Sequence, residues 1–314
     1  MKKVFCVGEL LIDFVAEKQG SDLSKATEFT KKAGGAPANV ACAISKLGGK
    51  SIFIGCVGDD PFGRFLLDVL KAEGVDISLA QLSKTFTTLA FVSLAEDGER
   101  DFVFSRGADK ELEYDPTLRK SLKDNILHLG AATALLGGSL EKAYGKYLFD
   151  GLTKDMFISF DPNFRSDLWK ENEEQFIKKC MPFIEKSHLC KFSLEEAQLL
   201  SEKNDSNAAC DFFHRMGAKI ITVTLGEEGT LLSVNGSKKM IPSMPVNPVD
   251  TTGAGDAFIG CLLYQISDLG NFAPVFKDHD LLENMVAMAN KAGAITTTNY
   301  GAIPSLPTKD QLKD

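Results

Sequence analysis

The sequence predicts an α/β fold, with a mostly parallel sheet covered by helices on both faces and a small antiparallel sheet attached. Three observations carry this. Short β-rich runs alternate with amphipathic segments of helical length, which is the pattern of a parallel sheet under helical layers. One region breaks the alternation: two β-rich runs, 88–94 and 100–105, are joined by Ala95-Glu96-Asp97-Gly98-Glu99, where Asp97-Gly98 is a hairpin signal. The chain of 314 residues is 44% hydrophobic and 25% charged, enough apolar material for a large core.

Taken in order, the run 4–7 is the first strand. Pro37 suits the first turn of a helix over 37–47, which Gly48-Gly49 ends. A strand over 51–57 and a helix over 61–73 follow. Runs 11–17 and 27–30 join the hairpin over 88–105 in the small sheet, which is either a lid or an edge extension of the main sheet. Strands over 125–129, 157–160, 188–192 and 219–225 alternate with helices over 140–152 and 171–185. The C-terminal third carries a glycine-rich loop and two helices, over 254–267 and 281–294. No internal repeat, low-complexity tract or long linker interrupts the chain.

Composition removes several function classes. The net charge of −8 disfavours a nucleic-acid partner. No apolar run reaches 18 residues, and Lys2 and Lys3 precede only a strand-like run, so neither a membrane span nor a leader is expected. Seven scattered cysteines without C-x-x-C read as buried thiols in a reducing cytosol, and four dispersed histidines show no zinc spacing.

The most informative segment is Val249-Asp250-Thr251-Thr252-Gly253-Ala254-Gly255-Asp256-Ala257-Phe258, followed by an apolar stretch. A glycine turn running into a helix start is an anion site, where unpaired N–H groups meet the positive end of the helix dipole. Asp256 inside that site opposes phosphate binding unless it takes a proton from a hydroxyl attacking phosphorus. The alternative is that Asp256 only caps the helix. Gly34-Gly35-Ala36-Pro37-Ala38-Asn39 offers backbone amides and an Asn amide to a polyhydroxyl ligand, or is simply a tight turn. Asp13, set among apolar residues, is a buried acceptor or a sugar-diol ligand. Gly49-Lys50-Ser51 resembles the end of a P-loop, but Ile44 stands at the required first glycine, so it is a helix C-terminus. A dinucleotide reading of Gly253-Ala254-Gly255 fails as well, since Phe258 holds the third glycine position.

Read together, these segments and Gly55-Cys56-Val57-Gly58-Asp59-Asp60-Pro61-Phe62-Gly63 resemble both signatures of the PfkB (ribokinase-like) family of sugar kinases, over nearly the whole chain. Gly8 to Phe14, Leu89-Ala90-Phe91-Val92-Ser93-Leu94 and Asp161-Pro162-Asn163-Phe164-Arg165 look like the fructokinase branch. The resemblance implies one ribokinase-like α/β/α domain over 1–314, with a β lid from about 11–31 and 86–106. It implies ATP-dependent phosphorylation of a sugar, D-fructose to fructose 6-phosphate. The alternatives are a 2-keto-3-deoxygluconate kinase, ribokinase or nucleoside kinase, or a catalytically silent sugar- or nucleotide-binding protein.

Residue roles follow from the same resemblance. Asp256 is the base, and Gly253, Ala254 and Gly255 form the anion hole. Asp13, Gly34, Gly35 and Asn39 hold the sugar, with Arg106 and Arg165 as further contacts to substrate or phosphate. Thr224, Gly226 and Gly229 line the nucleotide, with Asn290 near the adenine. Glu196 of the family's N-x-x-E motif assists magnesium, but Ser193 stands where the family has Asn. Asp250, Thr252, Thr296, Asn299, Gly301 and Ser305 build a potassium site. A homodimer paired through the lid is a further expectation.

Overall fold

The structure is a computed structural model that describes residues 1–17, 20, 22–94 and 100–313. The strands are β1 (Lys3–Val7), β2 (Leu11–Ala16), β3 (Phe29–Gly34), β4 (Lys50–Ile54), β5 (Cys56–Gly58), β6 (Gln81–Ser83), β7 (Leu89–Leu94), β8 (Arg100–Ser105), β9 (Ile126–Gly130), β10 (Phe157–Asp161), β11 (Leu189–Ser193), β12 (Ile220–Thr224), β13 (Thr230–Val234) and β14 (Ser237–Ile241). The α-helices are α1 (Ala36–Lys46), α2 (Pro61–Ala72), α3 (Ser139–Thr153), α4 (Ser166–Trp169), α5 (Glu173–Lys186), α6 (Leu194–Ser201), α7 (Ser206–Met216), α8 (Ala254–Asp268), α9 (Ala273–Lys277), α10 (His279–Thr296) and α11 (Ala302–Ser305).

Eight strands form the main sheet in the order β14-β13-β12-β11-β10-β9-β1-β4. From β12 to β4 every neighbouring pair is parallel, as the alternating pattern predicts. The antiparallel edge of β13 and β14 is not anticipated by that pattern. Strand alternation divides the core. Val4, Cys6, Ile126 and Phe157 face a layer containing α1, α8 and α10, whereas Phe5, Val7, Leu127 and Ile158 face α3, α5, α6 and α7.

The expected strand over 51–57 is broken at Gly55. There is no room there for a side chain, since a Cβ would lie 2.5 Å from the Gly8 carbonyl oxygen. β5 then leaves the main sheet and pairs with β6. Gly48 (φ +90°) ends α1 and Lys50 opens β4, consistent with a helix C-terminus.

The second sheet has the order β3-β2-β7-β8. β2–β3 and β7–β8 are antiparallel, but the central pair β2–β7 is parallel, so this sheet is mixed. The β2–β3 hairpin follows β1 of the main sheet, whereas the β7–β8 hairpin follows β6 of the separate β5–β6 pair. β3 begins at Phe29 and runs to Gly34, further than the run 27–30 suggests, and so leads straight into α1. The Asp97-Gly98 turn lies outside the described residues. No described helix is long and apolar enough to cross a membrane. All seven cysteines are buried and unpaired.

Candidate active site

The loop before α8 is shaped by one glycine and one carboxylate. Gly253, the N-cap, has φ +82°, and a Cβ there would lie 2.5 Å from Ala302 Cβ, so only glycine fits without displacement. Asp250 ties two loops together: Oδ1 accepts the Thr252 N–H (2.9 Å) and Oδ2 the Gly301 N–H (2.8 Å). Of the three amides expected in the anion site, that of Ala254 donates back to the Thr251 carbonyl (3.3 Å). Gly253 and Gly255 face the cavity.

Asp256 does not cap α8. The cap position makes no side-chain bond, and the Asp256 Oδ2 accepts the Asn39 Nδ2–H at 2.8 Å from α1. The carboxyl is 7% exposed, and burial pushes its pKa up, opposed by the Asn39 bond and the Arg165 and Lys191 charges. Such a group suits proton acceptance. Asn39 Oδ1 is buried and unpartnered, leaving an acceptor available beside Asp256.

A cavity of about 750 Å³ lies between the two sheets at this point. Asp13, Leu11, Ala90, Val92, Phe102 and Phe104 line it from the second sheet. Gly34 lets the Asp13 carboxylate approach, since a Cβ there would lie 2.0 Å from Asp13 Oδ2. Gly35, Asn39, Arg165, Ser193, Glu196, Thr224 and Thr252 complete much of the expected set.

Other expected contacts are corrected by the geometry. The Arg106 guanidinium makes four hydrogen bonds to protein: Nε with Asp109 (3.1 Å), Nη1 with Leu136 O (3.0 Å), and Nη2 with Thr133 O and Gly137 O (3.0 and 3.1 Å). It braces a loop and does not line the cavity. The Asn290 amide donates to Ile241 O (2.9 Å) and Pro242 O (3.2 Å) and accepts from Thr230 Oγ1 (2.6 Å), so its side chain is not offered to a nucleotide. Gly229 turns the chain into β13, where a Cβ would meet the Ile241 carbonyl at 2.1 Å, and it too lies off the cavity. Gly226 faces open space nearby.

Ser193 and Glu196 form a capping box on α6. Ser193 Oγ accepts the Glu196 N–H (3.1 Å), and Glu196 Oε2 accepts the Ser193 N–H (2.7 Å). Glu196 Oε1 accepts the Phe164 N–H (2.8 Å). Each oxygen keeps a second lone pair, which fits a hydrated magnesium better than a direct ligand. Among the described residues no group of three or more His, Cys, Asp or Glu could cage a metal. Around Asp250 the donors are oxygens, as a hard monovalent cation requires. The Thr296 and Ser305 hydroxyls donate to the Ala292 (2.9 Å) and Tyr300 (3.3 Å) carbonyls, and the Asn299 amide donates to Thr298 Oγ1 (3.2 Å).

Sequence reasoning missed Glu9, Asp161, Asn163 and Lys191, all in the cavity wall or directly behind it. A lysine inside the apolar strand Leu189-Cys190-Lys191-Phe192 was the available signal, because lysine is rarely buried without a partner. Glu9 Oε1 accepts the Ala36 N–H (3.0 Å), and burial together with the Asp109 charge raises its pKa to about 7.

Folded Glu9 therefore holds a proton that the unfolded chain releases above its ordinary 4.5. Stability from this group is present below that value and is lost as pH rises to about 7. Glu9→Gln removes that loss, about 3 kcal/mol at this size of shift. Urea unfolding of both proteins at about pH 5 and about pH 8 checks it, and parallel profiles would refute the assignment.

The family profile described as pfkB family carbohydrate kinase matches residues 1–309. Fructokinase-2 of Solanum lycopersicum is 38% identical over 312 residues, covering 97% of this chain and 93% of that protein. The crystal structure of a fructokinase double mutant from Vibrio cholerae O395 with fructose, ADP and potassium ion bound superposes with TM-score 0.86 at 29% identity, covering 100% of this chain and 97% of that one. Aminoimidazole riboside kinase from Salmonella enterica, complexed with aminoimidazole riboside and an ATP analogue, gives 0.83 at 29%, covering 99% and 98%. With a buried carboxylate behind a glycine turn, a cavity between two sheets and this full-length similarity, the chain belongs to the pfkB family of carbohydrate kinases.

Proposed function

We propose that this chain is an ATP-dependent fructokinase that forms fructose 6-phosphate, built as one domain over 1–314 with a β lid from about 11–31 and 86–106. The observation carrying the reading is the buried Asp256 carboxylate, oriented by Asn39 and facing a cavity that Asp13 also lines. Relatives named fructokinase over nearly the full chain support the choice of sugar.

In this reading Asp13, Gly34, Gly35 and Asn39 hold the sugar, and Asp256 takes the proton of its hydroxyl. The sugar oxygen forms its bond to the γ-phosphorus as the bond to the β–γ bridging oxygen breaks, releasing ADP. The amides of Gly253 and Gly255 face the charge that gathers on the phosphoryl oxygens. Thr224 and Gly226 lie along the nucleotide. Glu196 would hold a hydrated magnesium, which would supply charge neutralisation at the phosphates. The oxygens around Asp250 and Gly301 would hold potassium beside the anion hole and keep that loop in place. Closure of the second sheet excludes water from the transfer. Pairing of two copies through that sheet and a cytoplasmic location belong to the same reading.

A 2-keto-3-deoxygluconate kinase needs cations for the substrate carboxylate, and with Arg106 engaged elsewhere Arg165 is the one of the two expected arginines left for that task. A riboside acceptor is the stronger rival, because Phe102 and Phe104 on the cavity wall offer stacking faces. ATP turnover with fructose, ribose, 2-keto-3-deoxygluconate, adenosine and aminoimidazole riboside decides. Fructose is expected to lead in kcat/KM by at least about tenfold. A riboside in first place keeps the chemistry and moves the substrate, and no transfer to any acceptor leaves the silent binding protein.

A further inference from the structure

We infer that Lys191 is a catalytic residue of this kinase: its ammonium, anchored by Asp161 at the start of α8, binds the γ-phosphoryl group and neutralises it during transfer. The inference rests on the kinase reading above and goes beyond it, since no residue there supplies a full positive charge to the phosphoryl group.

Lys191 lies on β11 and Asp161 at the end of β10, on the face of the sheet that α8 covers. Nζ stands 3.1 Å from Asp161 Oδ2 and 3.4 Å from Oδ1, and the two side chains are 7% and 0% exposed. Its place relative to α8 is set by Gly255. A Cβ on that residue would sit 3.1 Å from Nζ, so the ammonium lies directly against the backbone of the anion site. A side chain at position 255 would press against that ammonium.

An ammonium has three N–H donors, and among the described residues Asp161 is its one hydrogen-bond partner. Donor capacity therefore remains for a ligand in the cavity, which Lys191 lines. Lys191 and Arg165 are the two cationic side chains among the described lining residues. Arg165 is held at the other side by Phe164 O (3.0 Å) and Asn163 Oδ1 (3.2 Å). Burial works against the Lys191 charge, but Asp161, Glu196 and Asp256 outweigh it and hold the group protonated. A purely structural role explains less, because an apolar pair in this strand would serve stability as well as a buried ion pair. A preorganised cation beside helix N-terminal amides is what a phosphoryl group gathering charge needs.

The test compares wild type, Lys191→Met and Lys191→Arg, with calorimetric affinity for ADP and for the nonhydrolysable analogue AMP-PNP. Lys191→Met is expected to bind ADP within about threefold of wild type, to lose about tenfold for AMP-PNP, and to lose about 10²–10³-fold in kcat with little change in sugar KM. Lys191→Arg keeps the charge and regains part of the AMP-PNP preference. Should Lys191→Met fail to fold, Asp161→Asn leaves the ammonium present but unheld, and the preference is expected to fall again. A wild-type AMP-PNP to ADP ratio in whichever of these variants folds overturns the inference. The ratio needs no sugar, so failure of fructose as acceptor is read separately from failure of Lys191.

Discussion

Replacing Asp256 by Asn is expected to lower kcat by about 10²–10⁴-fold, the usual contribution of a positioned general base. The amide is nearly isosteric, and its oxygen still accepts from Asn39 Nδ2, which lies 2.8 Å from the carboxylate it replaces. Burial already disfavours the charged form of Asp256, so the variant removes a costly anion and the fold survives. ADP binding, measured by calorimetry, should stay near wild type, because in the proposed mechanism Asp256 meets the sugar hydroxyl and not the nucleotide. Turnover of the variant at the wild-type rate would sink the mechanism. Loss of both turnover and ADP binding would point instead to a general collapse of the site.

Arg106→Met has the largest expected effect on stability. It strips a partner from Asp109, whose side chain is fully buried, and leaves the Thr133, Leu136 and Gly137 carbonyls short of donors. Breaking a buried pair from one side costs about 3–5 kcal/mol. The loss should appear in urea unfolding, while the sugar KM of the protein that remains folded is nearly unchanged. A large rise in KM without loss of stability would restore Arg106 as a substrate contact and overturn the bracing role.

These two residues show where sequence reasoning works and where it stops. Asp256 was legible because its chemistry is local: a glycine turn, a helix start and a carboxylate sit within a few consecutive residues. Its partner was not, since Asn39 reaches it across 217 positions. The family resemblance alone makes Arg106 and Asn290 ligand contacts, and a resemblance carries no account of which donors the fold already uses. What engages those donors lies elsewhere, at Leu136 O for Arg106 and at Ile241 O, 49 residues away, for Asn290. The mixed second sheet follows the same rule. Each hairpin is a local event, whereas the parallel meeting of β2 and β7 joins segments far apart in the chain.

By itself the sequence determined much of the order of strands and helices, the parallel core of the main sheet and the glycine turn that opens α8. Those features depend on side-chain alternation, helical periodicity and turn chemistry within short windows. The tertiary structure alone decided which polar groups are already engaged and which remain for a ligand. It withdrew Arg106 and Asn290, turned Ser193 and Glu196 into a cap, and brought Lys191 against Gly255. The physical reason is that a buried donor or acceptor must be paired by whatever the fold brings near it, and proximity between distant segments is not written in any one of them.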